Sequence, residues 1–181
     1  PEAIFAAAER LLGGAGKAQK KSKWAGKKVI VTAGPTREAV DPVRFLSNRS
    51  SGKMGVAIAE AAWRRGAQVR LVAGPLGIAP SPTLETTRVT TTDEMRDAVA
   101  QALPGADVLV MAAAPADFRP VTVAGSKIKK SGAPEAIVLA PTPDILRDTM
   151  ASRRAGAPIV GFARETDDVL ANGAAKLAAK G

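Results

Sequence analysis

An α/β fold, a doubly wound and mostly parallel sheet with helices on both faces, is predicted by three observations. From Lys27 onward short strand patterns alternate with longer helical ones. The strand patterns are continuous apolar runs, as expected of strands buried on both faces. The chain has 181 residues, 46% of them apolar, enough for one good core and not for two. This is the Rossmann type of architecture, in which ligands bind beyond the carboxyl ends of the strands.

The elements follow in order. Residues 1–12 place Ile4, Phe5, Ala8, Leu11 and Leu12 at helical spacing before Gly13-Gly14, which predicts a short amphipathic helix. Residues 13–26, rich in glycine and lysine, read as a flexible connector, so residues 1–25 are set apart as helix and linker and 26–181 as the domain. Strands are predicted at 29–33, 69–73 and 108–113, a short one at 137–139 and another at 159–162. Helices are predicted at 54–65, closed by Gly66, and at about 93–102, capped by Thr92-Asp93. Further helices are expected at 144–153, begun by Pro143, and at 169–180. The Pro-rich stretch 76–82 reads as a loop, and the chain ends just after a helix, where such a fold normally enters another strand.

Composition excludes several chemistries. With neither cysteine nor histidine, the chain has no disulfide, no thiolate or imidazole metal site and no His-based catalytic arrangement. Work must fall to Lys, Arg, Asp, Glu, Asn, Ser and backbone amides, a set suited to phosphates. The net charge of +9 fits nucleic acid, an anionic membrane or small polyanions alike. Aromatic residues make up only 3%, with no tyrosine, so stacking platforms for single strands are missing. The lysines between Lys17 and Lys28 are read more simply as a solvated linker than as a DNA arm. No apolar run of roughly 18 or more residues occurs and no signal peptide is recognisable, so a cytoplasmic protein is expected, without membrane or nucleic-acid partners.

Three loop clusters carry candidate chemistry. The first, from Thr32 to Gly55, holds Asn48, Ser50, Ser51 and Gly52 in a strand-to-helix connection far longer than usual for such a fold. It is neither a dinucleotide fingerprint, lacking Gly-x-Gly-x-x-Gly, nor a Walker A loop, since Ser47 stands at the first glycine and Met54 follows Lys53. The serines open a helix, where amides and dipole favour an anion; the alternative is that they cap it and that Gly55 serves packing. Asn48 can donate to an oxyanion or steady a turn. The second cluster, Ala112-Ala113-Ala114 followed by Asp117, leaves room for a flat ring or ribose at a strand end, or for close helix packing. The third comprises Lys127, Lys129 and Lys130 on a glycine-bounded flap, the helix start Pro143-Asp144-Ile145-Leu146, and Phe162. These lysines can close over a triphosphate or simply be solvated. Phe162 can stack on a base or join the core, and Lys176 and Lys180 share one face of the last helix.

In their order these motifs resemble bacterial phosphopantothenoylcysteine synthetase. The likeness covers residues 26–181. It is carried by Val31-Thr32-Ala33-Gly34-Pro35-Thr36-Arg37-Glu38, by Asp41 to Gly55 with Ser47-Asn48 and Ser50-Ser51-Gly52-Lys53-Met54-Gly55, and by Ala113 to Pro120. Lys127-Ile128-Lys129-Lys130, Thr142 to Leu146 and Gly161 to Thr166 complete it. The family is a CTP-dependent ligase of coenzyme A biosynthesis that joins 4'-phosphopantothenate to cysteine through an acyl-cytidylate. The resemblance implies that Asn48 holds the carboxylate and acyl-cytidylate and that Ser50, Ser51 and Gly52 lie near the substrate phosphate. Ala112, Ala113, Ala114 and Asp117 would contact the cytidine nucleotide, and Lys127 the triphosphate. Pro143, Asp144, Ile145 and Leu146, with Phe162, Lys176 and Lys180, would complete that site. Mg2+ would arrive with CTP rather than through direct protein ligands. The resemblance further implies a homodimer and, in the same polypeptide, an FMN-dependent decarboxylase domain whose tail is residues 1–12. Arg164 stands where a small residue is usual, and 167–175 departs from the pattern. Two other classes remain in view, a non-catalytic nucleotide- or nucleic-acid-binding module and a Rossmann oxidoreductase.

Overall fold

The computed structural model describes residues 22–132 and 136–162. Its centre is a parallel sheet of five strands in the order β5-β4-β1-β6-β9. The strands are β1 (Lys28–Ala33), β4 (Gln68–Ala73), β5 (Glu85–Arg88), β6 (Val108–Met111) and β9 (Ile159–Gly161). Two antiparallel pairs stand apart from it, β2 (Glu38–Ala39) with β3 (Phe45–Leu46) and β7 (Phe118–Pro120) with β8 (Leu139–Pro141). The helices are α1 (Lys53–Arg64), α2 (Thr92–Ala102) and α3 (Ile145–Thr149).

Alternation along β1 explains why the sheet is covered twice. Val29, Val31 and Ala33 join Val56, Ala59 and Ala62 of α1 in one core. Ile30 turns the other way, into a second core with Met95 and Val99 of α2 and Ile145 of α3. Because consecutive side chains of a strand point to opposite faces, an apolar run is what such a strand requires. The doubly wound fold read from the sequence is present, with its central sheet wholly parallel.

Several boundaries differ from expectation. The N-cap of α2 is Thr91, whose side chain accepts from the Glu94 amide while Glu94 returns a bond to the Thr91 amide, a capping box one residue earlier than expected. The third strand stops at Met111, because Ala113 and Ala114 turn to donate to Thr32 Oγ1 and the Gly34 carbonyl. The short strand expected at 137–139 lies at Leu139–Pro141 and pairs with β7 outside the main sheet. The helix expected at 144–153 ends at Thr149 and tightens into a 3-10 turn, Met150–Ser152. The helices expected at 1–12 and 169–180, with Lys176 and Lys180, lie outside the described residues.

Candidate functional site

Two long connections meet beyond the carboxyl ends of β1 and β6. Leaving β1, the chain passes Gly34 and Pro35, forms the β2–β3 hairpin and returns at α1. Leaving β6, it runs beside that path: Ala114 bridges Pro35, and its amide donates to the Gly34 carbonyl at 2.9 Å. Asn48 closes the seam, its Nδ2 donating to the Pro115 carbonyl at 2.8 Å.

Below the seam a buried polar cluster fixes the loops. Glu38 accepts from the amide and hydroxyl of Thr92, both at 2.9 Å, at the start of α2. Thr36 Oγ1 lies 2.8 Å from Thr92 Oγ1 and accepts from the Ala116 amide at 2.9 Å. Thr142 Oγ1 donates to the Ala116 carbonyl at 2.5 Å. Every member has a partner, which lets so polar a knot persist in the interior. It also holds the segment that carries Asp117.

A cleft of about 270 Å3 opens here, lined by Ala113, Asp117, Pro143, Asp144, Ile145, Leu146 and Phe162. These seven come from three distant stretches that the sequence singled out separately. Ala112 and Ala114 flank the cleft without lining it. Phe162 is exposed, so it is not a core residue. Thr142 and Gly161, which open two of the motifs but were given no role of their own, also line it. Among the described residues, the ionisable side chains on the wall are the carboxylates Asp117 and Asp144. A wall of that sign suits hydroxyl and amino donors and repels phosphate. Asp144 already caps α3 through the Arg147 amide.

Ser50, Ser51 and Gly52 sit on the other side of β1, at the start of α1. Neither serine caps the helix: α1 has no side-chain cap, and the Ser50 hydroxyl instead accepts from the Gly52 amide at 3.3 Å. The leading amides of α1 therefore stay open to an anion, unlike those of α2 and α3. Gly52 adopts a φ of +75°, and a Cβ there would come within 2.3 Å of Leu76 Cδ2. The packing role considered for Gly55 is real: a Cβ there would lie 2.7 Å from the Thr32 carbonyl.

Lys127 is exposed and does not line the cleft. What places it is Asp41, whose carboxylate accepts from the amides of Val43, Arg44 and Ile128 and from the Arg44 guanidinium. The Arg44 bonds, above all, hold the Asp41 carboxyl well below the usual carboxylate range. The unfolded chain thus binds this proton more readily, so the stability the carboxylate confers is complete above about pH 5, begins to fall as pH drops below the unfolded value near 4, and is fully lost only once pH has fallen through the lower folded value. Urea midpoints taken at pH 6 and pH 3 are expected to drop more in wild type than in Asp41→Asn; equal drops would refute the assignment.

A larger cavity, about 630 Å3, opens at the amino edge of the sheet, beside Lys28, Gln68 and Gly105. The long loops, the open start of α1 and the convergent polar groups lie at the carboxyl edge, where doubly wound sheets hold ligands, so the smaller cleft is the candidate site. Among the described residues no three carboxylates gather as a metal site. Among the described residues, a divalent ion at this edge would draw most of its oxygens from whatever ligand it accompanied.

The strand order and the helices on both faces define a Rossmann-like α/β domain, with a candidate ligand cleft at the carboxyl edge of its sheet. The chain belongs to the DNA/pantothenate metabolism flavoprotein C-terminal domain family, whose sequence profile matches residues 24–181. It is 48% identical over 168 residues to the coenzyme A biosynthesis bifunctional protein CoaBC of Mycobacterium tuberculosis, covering 87% of this chain and 40% of that protein. A cysteine/cysteine sulfinic acid decarboxylase from an unknown prokaryotic organism is 43% identical over 156 residues, 86% of this chain and 44% of that protein. The crystal structure of the C-terminal domain of CoaBC superposes with a TM-score of 0.74 at 42% identity, covering 86% of this chain and 74% of that one. The family resemblance read from the motifs is thereby borne out. This chain spans less than half the length of either full-length relative. Among the described residues no helix is long and apolar enough to cross a membrane.

Proposed function

We propose that the domain ligates 4'-phosphopantothenate to cysteine, using CTP, as a step of coenzyme A biosynthesis. A carboxylate oxygen of 4'-phosphopantothenate attacks the α-phosphorus of CTP, and pyrophosphate leaves. The cysteine amine then attacks the acyl carbon, loses a proton, and CMP departs. The observation that carries this reading is the Asn48 bond to Pro115, which ties the open start of α1 to the cleft lined by Asp117. It supports placing the proposed anion site and the proposed nucleoside cleft on either side of one seam, as an acyl-nucleotide requires.

Each residue then has a task. Ser51, Gly52 and the leading amides of α1 receive the phosphate of the acid, with Ser50 ordering the turn. Asn48 faces the carboxylate as a neutral donor, stabilising charge on oxygen without competing for the proton. Ala112, Ala113 and Ala114 leave room for the cytidine, Asp117 and Asp144 accept from its hydroxyl and amino groups, and Pro143, Ile145, Leu146 and Phe162 supply the apolar wall. Lys127 meets the triphosphate together with Mg2+, and Lys176 and Lys180 complete the nucleotide site. A homodimer is part of the proposal, as is an FMN-binding decarboxylase domain in the same polypeptide, to which residues 1–25 connect. The enzyme is cytoplasmic and binds neither nucleic acid nor membrane.

The test is pyrophosphate release from CTP by the full-length protein on addition of 4'-phosphopantothenate. Release dependent on the acid is expected, with CMP formed when cysteine follows. CTP at about a hundredfold its Kd should also raise the melting temperature with Mg2+ present, a stabilisation of roughly 2.7 kcal/mol. Absence of both, or cysteine decarboxylation independent of CTP as the domain's sole activity, would sink the reading.

A further inference from the structure

We infer that Asp41 is a positioning residue for the ligation: with Arg44 it clasps the backbone of Ile128 and so presents Lys127, the neighbouring residue, to the triphosphate. The inference rests on the proposed function for what Lys127 does, but the clasp itself is geometric.

The Asp41 side chain is fully buried although its charged partner among the described residues, Arg44, is half exposed. A buried carboxylate demands full pairing. Oδ1 accepts from the amides of Val43 and Arg44 at 2.9 and 2.8 Å, closing the turn of the β2–β3 hairpin. Oδ2 accepts from Arg44 Nε at 2.9 Å and Nη2 at 2.5 Å, and from the Ile128 amide at 3.1 Å. Arg44 Nη2 donates on to the Ile128 carbonyl at 3.1 Å. Both polar groups of one residue on an exposed segment are thus taken up by one ion pair whose members lie 87 and 84 positions away. A second tether, the Ala124 amide on the Val40 carbonyl at 3.0 Å, joins the same two segments.

Recognition of this kind does more than stabilise a turn. The hairpin that carries Asp41 and Arg44 leads within two residues to Asn48, and the clasped Ile128 adjoins Lys127. One carboxylate therefore sets the spacing between the group proposed to face the acyl carboxylate and the group proposed to face the phosphates. Both reacting partners need such registration, because small misplacements of positioned groups lower rates steeply.

The test uses the full-length protein as wild type, Asp41→Asn, Lys127→Ala and the double variant. Hydrogen exchange reads the clasp without reference to chemistry. Peptides covering residues 121–130 are expected to exchange about tenfold faster or more in Asp41→Asn, since hydrogen bonds to a charged group are lost, while β1 and β4 keep their rates. Kinetics read the consequence. Asp41→Asn should raise the KM for CTP about tenfold with a smaller fall in kcat, and should add little to Lys127→Ala because both act through one group. If Asp41→Asn does not fold, Arg44→Lys removes the planar fork while keeping the charge and makes the same comparison. Unchanged exchange over 121–130, or multiplicative losses in the double variant, overturns the inference. A wild type that releases no pyrophosphate defeats the ligase reading instead, and the exchange result still decides whether the clasp exists.

Discussion

Lys127→Ala in the full-length protein is expected to slow pyrophosphate release from CTP by about a hundred- to a thousandfold, the range seen when one preorganised stabiliser of developing charge is removed. The electrostatics of the cleft are the reason. Among the described residues its wall carries Asp117 and Asp144 and no lysine or arginine, a sign that favours the proposed nucleoside over its phosphates. In the proposed reaction, charge shifting onto the departing pyrophosphate is then met by the exposed Lys127, Lys129 and Lys130, whose segment is tethered to Asp41 and Arg44 through Ile128. Transfer of a phosphoryl-type group leaves the protein little covalent work beyond such positioning and neutralisation. Because Lys127 is exposed, its removal should leave stability within roughly 0.5 kcal/mol, which separates lost chemistry from lost folding. Lys129→Ala is the internal comparison and should cost less. A normal rate for Lys127→Ala would remove it from the reaction.

The strands that define the fold were legible because they are buried on both faces and thus written as continuous apolar runs, as in Val29-Ile30-Val31 and Val108-Leu109-Val110. Strand β5 was not. Its sequence, Glu85-Thr86-Thr87-Arg88, pairs on one side only, with β4, and it buries so little that no pattern marks it. The pairs β2–β3 and β7–β8 are two or three residues long and include Pro120 and Pro141, so they exist only through the loops around them. The site divides the same way. Residue type and position, at strand ends for Asp117 and Phe162 and at a helix start for Asp144, sufficed to single out three residues that one cleft unites. Which loop grips which was not readable, because the decisive bonds join Asp41 to Ile128 and Thr36 to Ala116, 87 and 80 positions apart. An Asp three residues before an Arg looks like any surface pair until its burial is seen.

Gly74→Ala should be the most damaging small substitution in the described structure. A Cβ at Gly74 would lie 1.9 Å from the Pro35 carbonyl oxygen and 3.0 Å from its carbon, both backbone atoms that no rotamer change can move. The approach is enforced from both sides. Gly74 donates its amide to the Ala33 carbonyl at 3.0 Å, so the chain leaving β4 is pinned against the chain leaving β1. Relief requires the two loop starts to part, at a cost of about 3 kcal/mol or more on the scale of overpacked sites. For a domain of this size that is a fall of roughly 6–12 °C in melting temperature. Activity should suffer beyond stability, because Pro35 bridges Ala114 and begins the path to Asn48, and any shift there opens the seam between anion site and cleft. Gly125→Ala supplies the contrast: nothing lies within 4 Å of its Cβ and its φ is not positive, so alanine should be tolerated with little change in stability. Equal melting temperatures for the two variants would mean that the β1 and β4 exits do not touch as described, and with them would go the geometry that sets Asn48 against Pro115.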